Sequence, residues 1–206
     1  MIYTVTLNPA LDKTVEIPEF ALDRVNRIVS VRTDPGGKGI NVSKVIQKLG
    51  SRSIAVGILG GTTGKAISTA LDTMGIESDF SFAEGETRIN LKVVDPVKHT
   101  NTDLNEPGLT VSDKLLGELL QKLISRLEPG DLVMLSGSLP KGAPEDTYYV
   151  WGKACREAGA KVFLDADGEL LKEGMRAAPY LIKPNHQELS ALLGKELKGP
   201  EELESA

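Results

Sequence analysis

Asp34-Pro35-Gly36-Gly37-Lys38-Gly39-Ile40-Asn41-Val42-Ser43 joins a run with almost no side chain to the start of an amphipathic helix. Pro35 to Gly39 reads as a loop. From there Val42, Val45, Ile46 and Leu49 recur at i, i+3, i+4 and i+7, with Gly50 at the position of a helix C′ residue. The spacing predicts a helix that packs this apolar face on a sheet. Bare backbone ahead of a helix start suits an anion, because first-turn N–H groups lack intrahelical partners and the helix dipole favours negative charge. Lys38 adds a point charge and Asn41 a hydrogen-bonding arm. The same residues equally suit a tight turn with a solvated lysine.

On either side of this stretch the chain alternates strands and helices. Residues 2–7 read as a buried strand ending at Asn8-Pro9-Ala10-Leu11-Asp12, and residues 53–58 as the next core strand. In a parallel sheet ligands bind outside the carboxyl ends of strands, which makes Asp12 a candidate for holding substrate hydroxyls and otherwise a turn aspartate. Gly60-Gly61-Thr62-Thr63-Gly64-Lys65 opens another helix but is no Walker A loop: Leu59 stands where its first glycine belongs and Ala66 where Ser or Thr must follow the lysine. No dinucleotide fingerprint is present either, which argues against a nucleotide-dependent oxidoreductase.

Two regions break the alternation. Residues 14–17 and 27–32 are strand-like with no crossover helix between them, so they form a small antiparallel excursion. Residues 77–104 are again strands without helices, and Arg88, Asn90 and Lys92 alternate with Ile89, Leu91 and Val93, giving one polar and one apolar face. The two excursions together suggest a lid.

Beyond them residues 112–127 form the clearest helix, and alternation resumes with strands at 132–135, 161–164 and 180–182 and helices at 145–158 and 169–177. The strand ends carry Ser136-Gly137-Ser138, Asp165-Ala166-Asp167 and Lys183-Pro184-Asn185, and a last helix places Asn185 and Glu188 on one face. A further helix start is expected from Pro200 onward.

The 206 residues are 40% hydrophobic and 26% charged, ordinary for one large α/β domain. A net charge of −5 argues against non-specific nucleic-acid binding. No run is long enough to span a bilayer and no signal peptide is visible, and the single cysteine, Cys155, fits packing at a half-buried helix position in a reducing cytoplasm. His99 and His186 are isolated and lack metal-ligand spacing.

Thr6 to Asp12, Pro35 to Ser43, Thr87-Arg88-Ile89-Asn90, Ser136 to Pro140 and Lys183-Pro184-Asn185 with Glu188 occur in an order and spacing that resemble the ribokinase-like sugar kinases, phosphofructokinase B group. Within that group the likeness is strongest to bacterial 1-phosphofructokinases, with tagatose-6-phosphate kinases near relatives. The resemblance implies an α/β fold, a mostly parallel sheet flanked by helices, with a β lid built from inserts at about 13–34 and 87–106. It implies ATP and Mg²⁺ as cofactors, a ketohexose phosphate as substrate, and a homodimer formed through the lid. By position, Asp12, Gly37 and Asn41 would hold sugar hydroxyls; Lys38, Arg88, Asn90 and Arg27 would hold the sugar's phosphate; and Ser138 would lie on the substrate side. Lys183 would approach the nucleotide phosphates, with Asn185 and Glu188 holding Mg²⁺ through water.

The family's Gly-Ala-Gly-Asp motif, which supplies the catalytic base, does not occur in these 206 residues. The expectation is therefore the N-terminal two-thirds of a kinase domain, inactive by itself. The preferred substrate is fructose 1-phosphate, ahead of tagatose 6-phosphate and fructose 6-phosphate. A non-catalytic sugar-phosphate-binding module is the alternative on the same scaffold. A stable chain would favour the module; aggregation through exposed apolar faces is the expectation for a fragment.

Overall fold

The computed structural model describes residues 1–197 together with Gly199 and Glu202. Apart from Glu202, the helix start expected from Pro200 lies outside the described residues. Six parallel strands make the main sheet: β1 (Ile2–Thr6), β4 (Ile54–Gly60), β5 (Glu77–Ala83), β8 (Leu132–Ser136), β9 (Lys161–Asp165) and β10 (Leu181–Ile182), in the order β10-β9-β8-β1-β4-β5. Four strands, β2 (Ala10–Glu16), β3 (Ser30–Gly36), β6 (Arg88–Asp95) and β7 (Thr100–Asn105), make the lid in the order β3-β2-β6-β7. β2–β3 and β6–β7 are antiparallel hairpins, but the join between the excursions, β2 to β6, is parallel.

The main sheet is covered on both faces, as its near-continuous apolar strands require. Alternation along β4 divides the core: Ile54, Val56 and Ile58 join the cluster containing α3 (Asp113–Ile124) and α4 (Thr147–Glu157), while Ala55 and Leu59 meet α1 (Lys38–Lys48) and α2 (Gly61–Thr73). Helix α3 keeps the expected face, with Leu116, Leu119, Leu120 and Leu123 buried and Ser112 capping its start by accepting from the Leu115 N–H at 3.3 Å. Cys155 is fully rather than half buried on α4, and burial pushes its thiol up to about 12. Among the described residues no helix is long and apolar enough to cross a membrane.

Helix α1 does not bury the face its periodicity predicts. Its buried residues are Gly39, Ile40 and Ser43, whereas Val45 is 55% and Leu49 77% exposed. The helix docks on β1 through hydroxyls and a missing side chain. Ser43 Oγ lies 2.6 Å from Thr4 Oγ1, and Thr6 Oγ1 accepts from the Ile40 N–H at 3.0 Å. A β-carbon on Gly39 would stand 2.5 Å from Thr6 Oγ1 and 2.7 Å from Val5 O, so only glycine permits this approach.

The supposed loop ahead of α1 is also shorter than its composition predicts. Pro35 and Gly36 complete β3 and Lys38 already begins the helix, which leaves Gly37, at φ 116°, as the single hinge residue. A β-carbon there would stand 2.6 Å from Thr6 Cγ2. Gly50 follows the helix at φ 76°, where a C′ glycine was expected.

Candidate active site

The lid begins earlier than expected, and this changes where Asp12 sits. It lies in β2 rather than in a turn, paired in register with Asp34 of β3 and Asn90 of β6. Asn90 Nδ2 donates to Asp12 Oδ1 at 3.0 Å, and a β-carbon on Gly36 would fall 2.1 Å from Asp12 Oδ2. The carboxylate is thus fixed from one side by an amide and admitted on the other only because Gly36 has no side chain. Asn90 Oδ1 is buried without a partner. This pair belongs to a polar cavity of about 540 Å³ between the lid and α1, whose walls include Thr14, Lys92, Lys44 and Lys48.

Asn41 does not line this cavity but a neighbouring one that it shares with Lys38 and Asp165; its Oδ1 accepts from Lys44 Nζ at 3.2 Å, and Lys44 also donates to Pro35 O at 2.9 Å. Lys44 and Lys48 escaped the sequence reading although they follow Asn41 at helical spacing; that periodicity was the available signal.

Arg88 occupies the junction of lid and main sheet. It donates to Asn8 O at 3.0 Å, Glu106 O at 3.2 Å and Pro9 O at 3.4 Å, and Asn8 Nδ2 in turn donates to Ser138 Oγ at 3.2 Å. Arg88 and Ser138 are therefore linked through Asn8, a residue not singled out in the sequence. Burial pulls the Arg88 guanidinium below its ordinary value, and the charge of Asp12 works against that shift. Arg27 is exposed and lies beyond the Glu16–Ser30 end of the lid, several pairs from Asp12, so the single chain does not bring it to this group.

Lys38, expected beside Arg88, is held elsewhere. Its Nζ lies 3.0 Å from Asp165 Oδ1 and 3.8 Å from Glu188 Oε1, and Lys183 Nζ lies 3.5 Å from the same Asp165 oxygen. Asp165 ends β9 beside β10, so it joins Lys183 and Glu188, although the resemblance assigned it no role. Its place at a strand end was the available signal.

Asn185 caps α6 (His186–Leu193): its Oδ1 accepts from the Glu188 N–H at 2.9 Å, and Glu188 Oε2 accepts from the Asn185 N–H at 2.7 Å. That reciprocal pair leaves Glu188 Oε1 facing Lys38. Tyr148 donates to Gly137 O at 2.9 Å and so anchors the Ser136-Gly137-Ser138 turn; burial raises its phenol well above the ordinary range, with Asp165 and Asp167 adding to the effect.

The second lysine-bearing glycine run is filled by protein. Thr62 and Thr63 N–H donate to the two carboxylate oxygens of Glu86 at 3.0 and 2.9 Å, so the start of α2 carries its own anion and is not a phosphate loop.

The fold has known relatives. Residues 5–206 match the pfkB family carbohydrate kinase profile. The chain belongs to that family. It is 41% identical over 202 residues to a 1-phosphofructokinase of Bacillus subtilis, covering 98% of this chain and 65% of the relative. To a 1-phosphofructokinase of Rhodobacter capsulatus it is 37% identical over 206 residues, covering 100% of this chain and 65% of the relative. The crystal structure of phosphofructokinase-2 from Escherichia coli in complex with fructose-6-phosphate superposes with a TM-score of 0.93 at 30% identity, over 99% of this chain and 67% of that one. This pfkB chain thus spans about two-thirds of the length of its relatives, and its fold is that of the corresponding part of a ribokinase-like kinase.

Proposed function

We propose that this chain supplies the acceptor site and part of the nucleotide site of an ATP-dependent ketohexose-phosphate kinase acting on fructose 1-phosphate. The observation that carries this reading is the Asp12 carboxylate, held by Asn90 and exposed to the lid cavity across Gly36. A fixed carboxylate accepts hydrogen bonds from two sugar hydroxyls with little reorganisation, and orients them. Gly37 and Asn41 complete the hydroxyl side, and Arg88 and Asn90, with Ser138 nearby, take the sugar's phosphate. Arg27 joins that phosphate only if another subunit's lid presents it, which accords with pairing through the lid, where Val31 and Leu104 are half exposed on the apolar face.

On the other side of the glycine hinge, Lys183 takes nucleotide phosphates. Glu188 and Asp165 offer hard oxygen donors that fit Mg²⁺, an ion that typically takes one or two carboxylates together with water and substrate phosphate. Among the described residues no three His, Cys, Asp or Glu side chains form a ready metal cage, and Asn185 Oδ1 is committed to its cap, so Asn185 acts through water. When bound, Mg²⁺ neutralises charge on the polyphosphate. The residues of this chain align the sugar hydroxyl with the γ-phosphorus, where the new P–O bond forms as the bond to the β–γ bridging oxygen breaks.

The base implied by the family resemblance is absent from these 206 residues, so the chain alone binds sugar phosphate without transferring the phosphoryl group. A version extended to the relatives' length is expected to phosphorylate fructose 1-phosphate faster than tagatose 6-phosphate or fructose 6-phosphate; equal rates on all three would remove the preference. A sugar-phosphate-binding module on the same scaffold is the second reading. Saturable binding by the 206-residue chain is expected on both readings; phosphoryl transfer by a version extended to the relatives' length separates them, since a binding module stays inactive at that length.

A further inference from the structure

The charged residues around the lid cavity are sorted by depth. Asp34, Asp12, Asn90 and Asn105 stand in register across β3, β2, β6 and β7. Arg32, Thr14, Lys92 and Asp103 form the next row on the same face, about 7 Å further along the strands. In the first row Asp34, Asp12 and Asn90 are half-buried, whereas Arg32, Lys92 and Asp103 of the second are exposed, so the second row is the mouth.

Pairing decides which charges are left over. Arg32 Nε lies 2.9 Å from Asp34 Oδ2 and Lys92 Nζ 3.5 Å from Asp103 Oδ1, so a neighbouring carboxylate answers each cation of the lid. The facing wall is α1, which contributes Lys44 and Lys48 and no carboxylate. Lys44 is held by two neutral acceptors, the Pro35 carbonyl and the Asn41 amide. Lys48 makes no hydrogen bond or ion pair among the described residues. With four cations against three carboxylates, Asp12, Asp34 and Asp103, the lining carries a charge of +1 on a chain of net charge −5. A sugar phosphate bears close to two negative charges at neutral pH, so the molecule at large repels it and this mouth attracts it.

We propose that Lys48, together with Lys44 one turn earlier, steers the dianionic sugar phosphate into the lid cavity and favours phosphorylated over unphosphorylated sugars at the encounter. The proposal rests on the acceptor-site reading above and deepens it: Asp12 and Arg88 hold the ligand, and Lys48 brings it in. A lysine suits this role because its strongly hydrated ammonium, on a flexible stem, attracts across water without first desolvating its target. Lys48 also lies in the last turn of α1, at the negative end of the helix dipole, but that contact acts on stability and not on rate.

The test follows fructose 1-phosphate binding to the 206-residue chain by NMR line shape, which yields association and dissociation rates. Lys48→Glu is compared with Lys65→Glu, the same charge change at an exposed site on α2 outside the cavity. At about 0.01 M salt, where charges act over about 30 Å, Lys48→Glu is expected to associate about tenfold more slowly than Lys65→Glu. Its dissociation rate and melting temperature should stay those of Lys65→Glu, the gap should close at about 1 M salt, and Lys48→Arg should follow the wild type. A residue gripping the bound phosphate would instead speed dissociation and keep its effect at high salt. Equal association rates in the two glutamate variants at low salt, or a deficit that survives about 1 M salt, overturns the proposal.

Two small nitroxide probes, one a carboxylate and one a neutral amide, read the field without any sugar. The carboxylate probe should broaden the backbone resonances of Lys48 and Lys92 more than the neutral one, and this excess should vanish in Lys48→Glu. The excess without fructose 1-phosphate binding removes the sugar phosphate as ligand and keeps the anion-drawing mouth. No excess overturns the mouth itself, whether or not the sugar phosphate binds.

Discussion

The Asp12 carboxylate lies where the side chain of residue 36 would be: a β-carbon on Gly36 would stand 2.1 Å from Asp12 Oδ2 and 2.8 Å from Oδ1. The obstructing atoms are the end of a rotatable side chain, so Gly36→Ala should cost little stability, under about 1 kcal/mol, while forcing Asp12 off Asn90. Thermal denaturation with a parallel sugar-phosphate titration checks this: a near-unchanged melting temperature with binding weakened at least roughly tenfold is expected.

Gly39→Ala should behave in the opposite way. The added carbon meets Val5 O at 2.7 Å and Thr6 Oγ1 at 2.5 Å, backbone and a hydrogen-bonded hydroxyl that cannot swing aside. A loss of about 1 to 3 kcal/mol is expected in urea unfolding, as for other overpacked contacts. A stability equal to wild type would show that α1 does not dock this closely.

Arg88→Lys keeps the charge but loses the fork that reaches the carbonyls of Asn8, Pro9 and Glu106. Stability should fall by about 1 to 2 kcal/mol, and sugar-phosphate affinity should fall with it. Wild-type values in both assays would contradict the role given to this junction.

The Glu86 carboxyl is held below its ordinary value, first by the Thr63 N–H and then by the Thr62 N–H at the start of α2. A carboxyl depressed in the folded state contributes stability that is fully present above its unfolded value and is lost as pH falls through the folded one. Wild type should therefore exceed Glu86→Gln at pH 7 in urea unfolding, and the gap should close as pH drops below about 4.5. A gap independent of pH would exclude this cap as the source.

The alternation of strands and helices, the two lid excursions and the gathering of strand ends were legible because each rests on periodicity or turn chemistry. The packing of α1 was not. Val42, Val45, Ile46 and Leu49 form the regular apolar stripe, but the helix docks through Gly39, Ile40 and Ser43 on the hydroxyls of Thr4 and Thr6, a contact that leaves little hydrophobic signature. Asp12 and Asn90 could be named from sequence, but their parallel pairing across two distant inserts depends on β2 meeting β6, which no local pattern announces. Lys38 was visible as a charge, yet its partners come from β9 and α6, more than 120 residues away, and only the fold brings them together.

The central claim is that Asp12 holds the sugar. Isothermal titration of fructose 1-phosphate into the 206-residue chain and into Asp12→Asn tests it most directly, because the amide keeps the shape and removes the charge. Saturable binding by the wild type, weakened at least about tenfold in Asp12→Asn at an unchanged melting temperature, is the predicted result. Equal affinity in the two chains would contradict it.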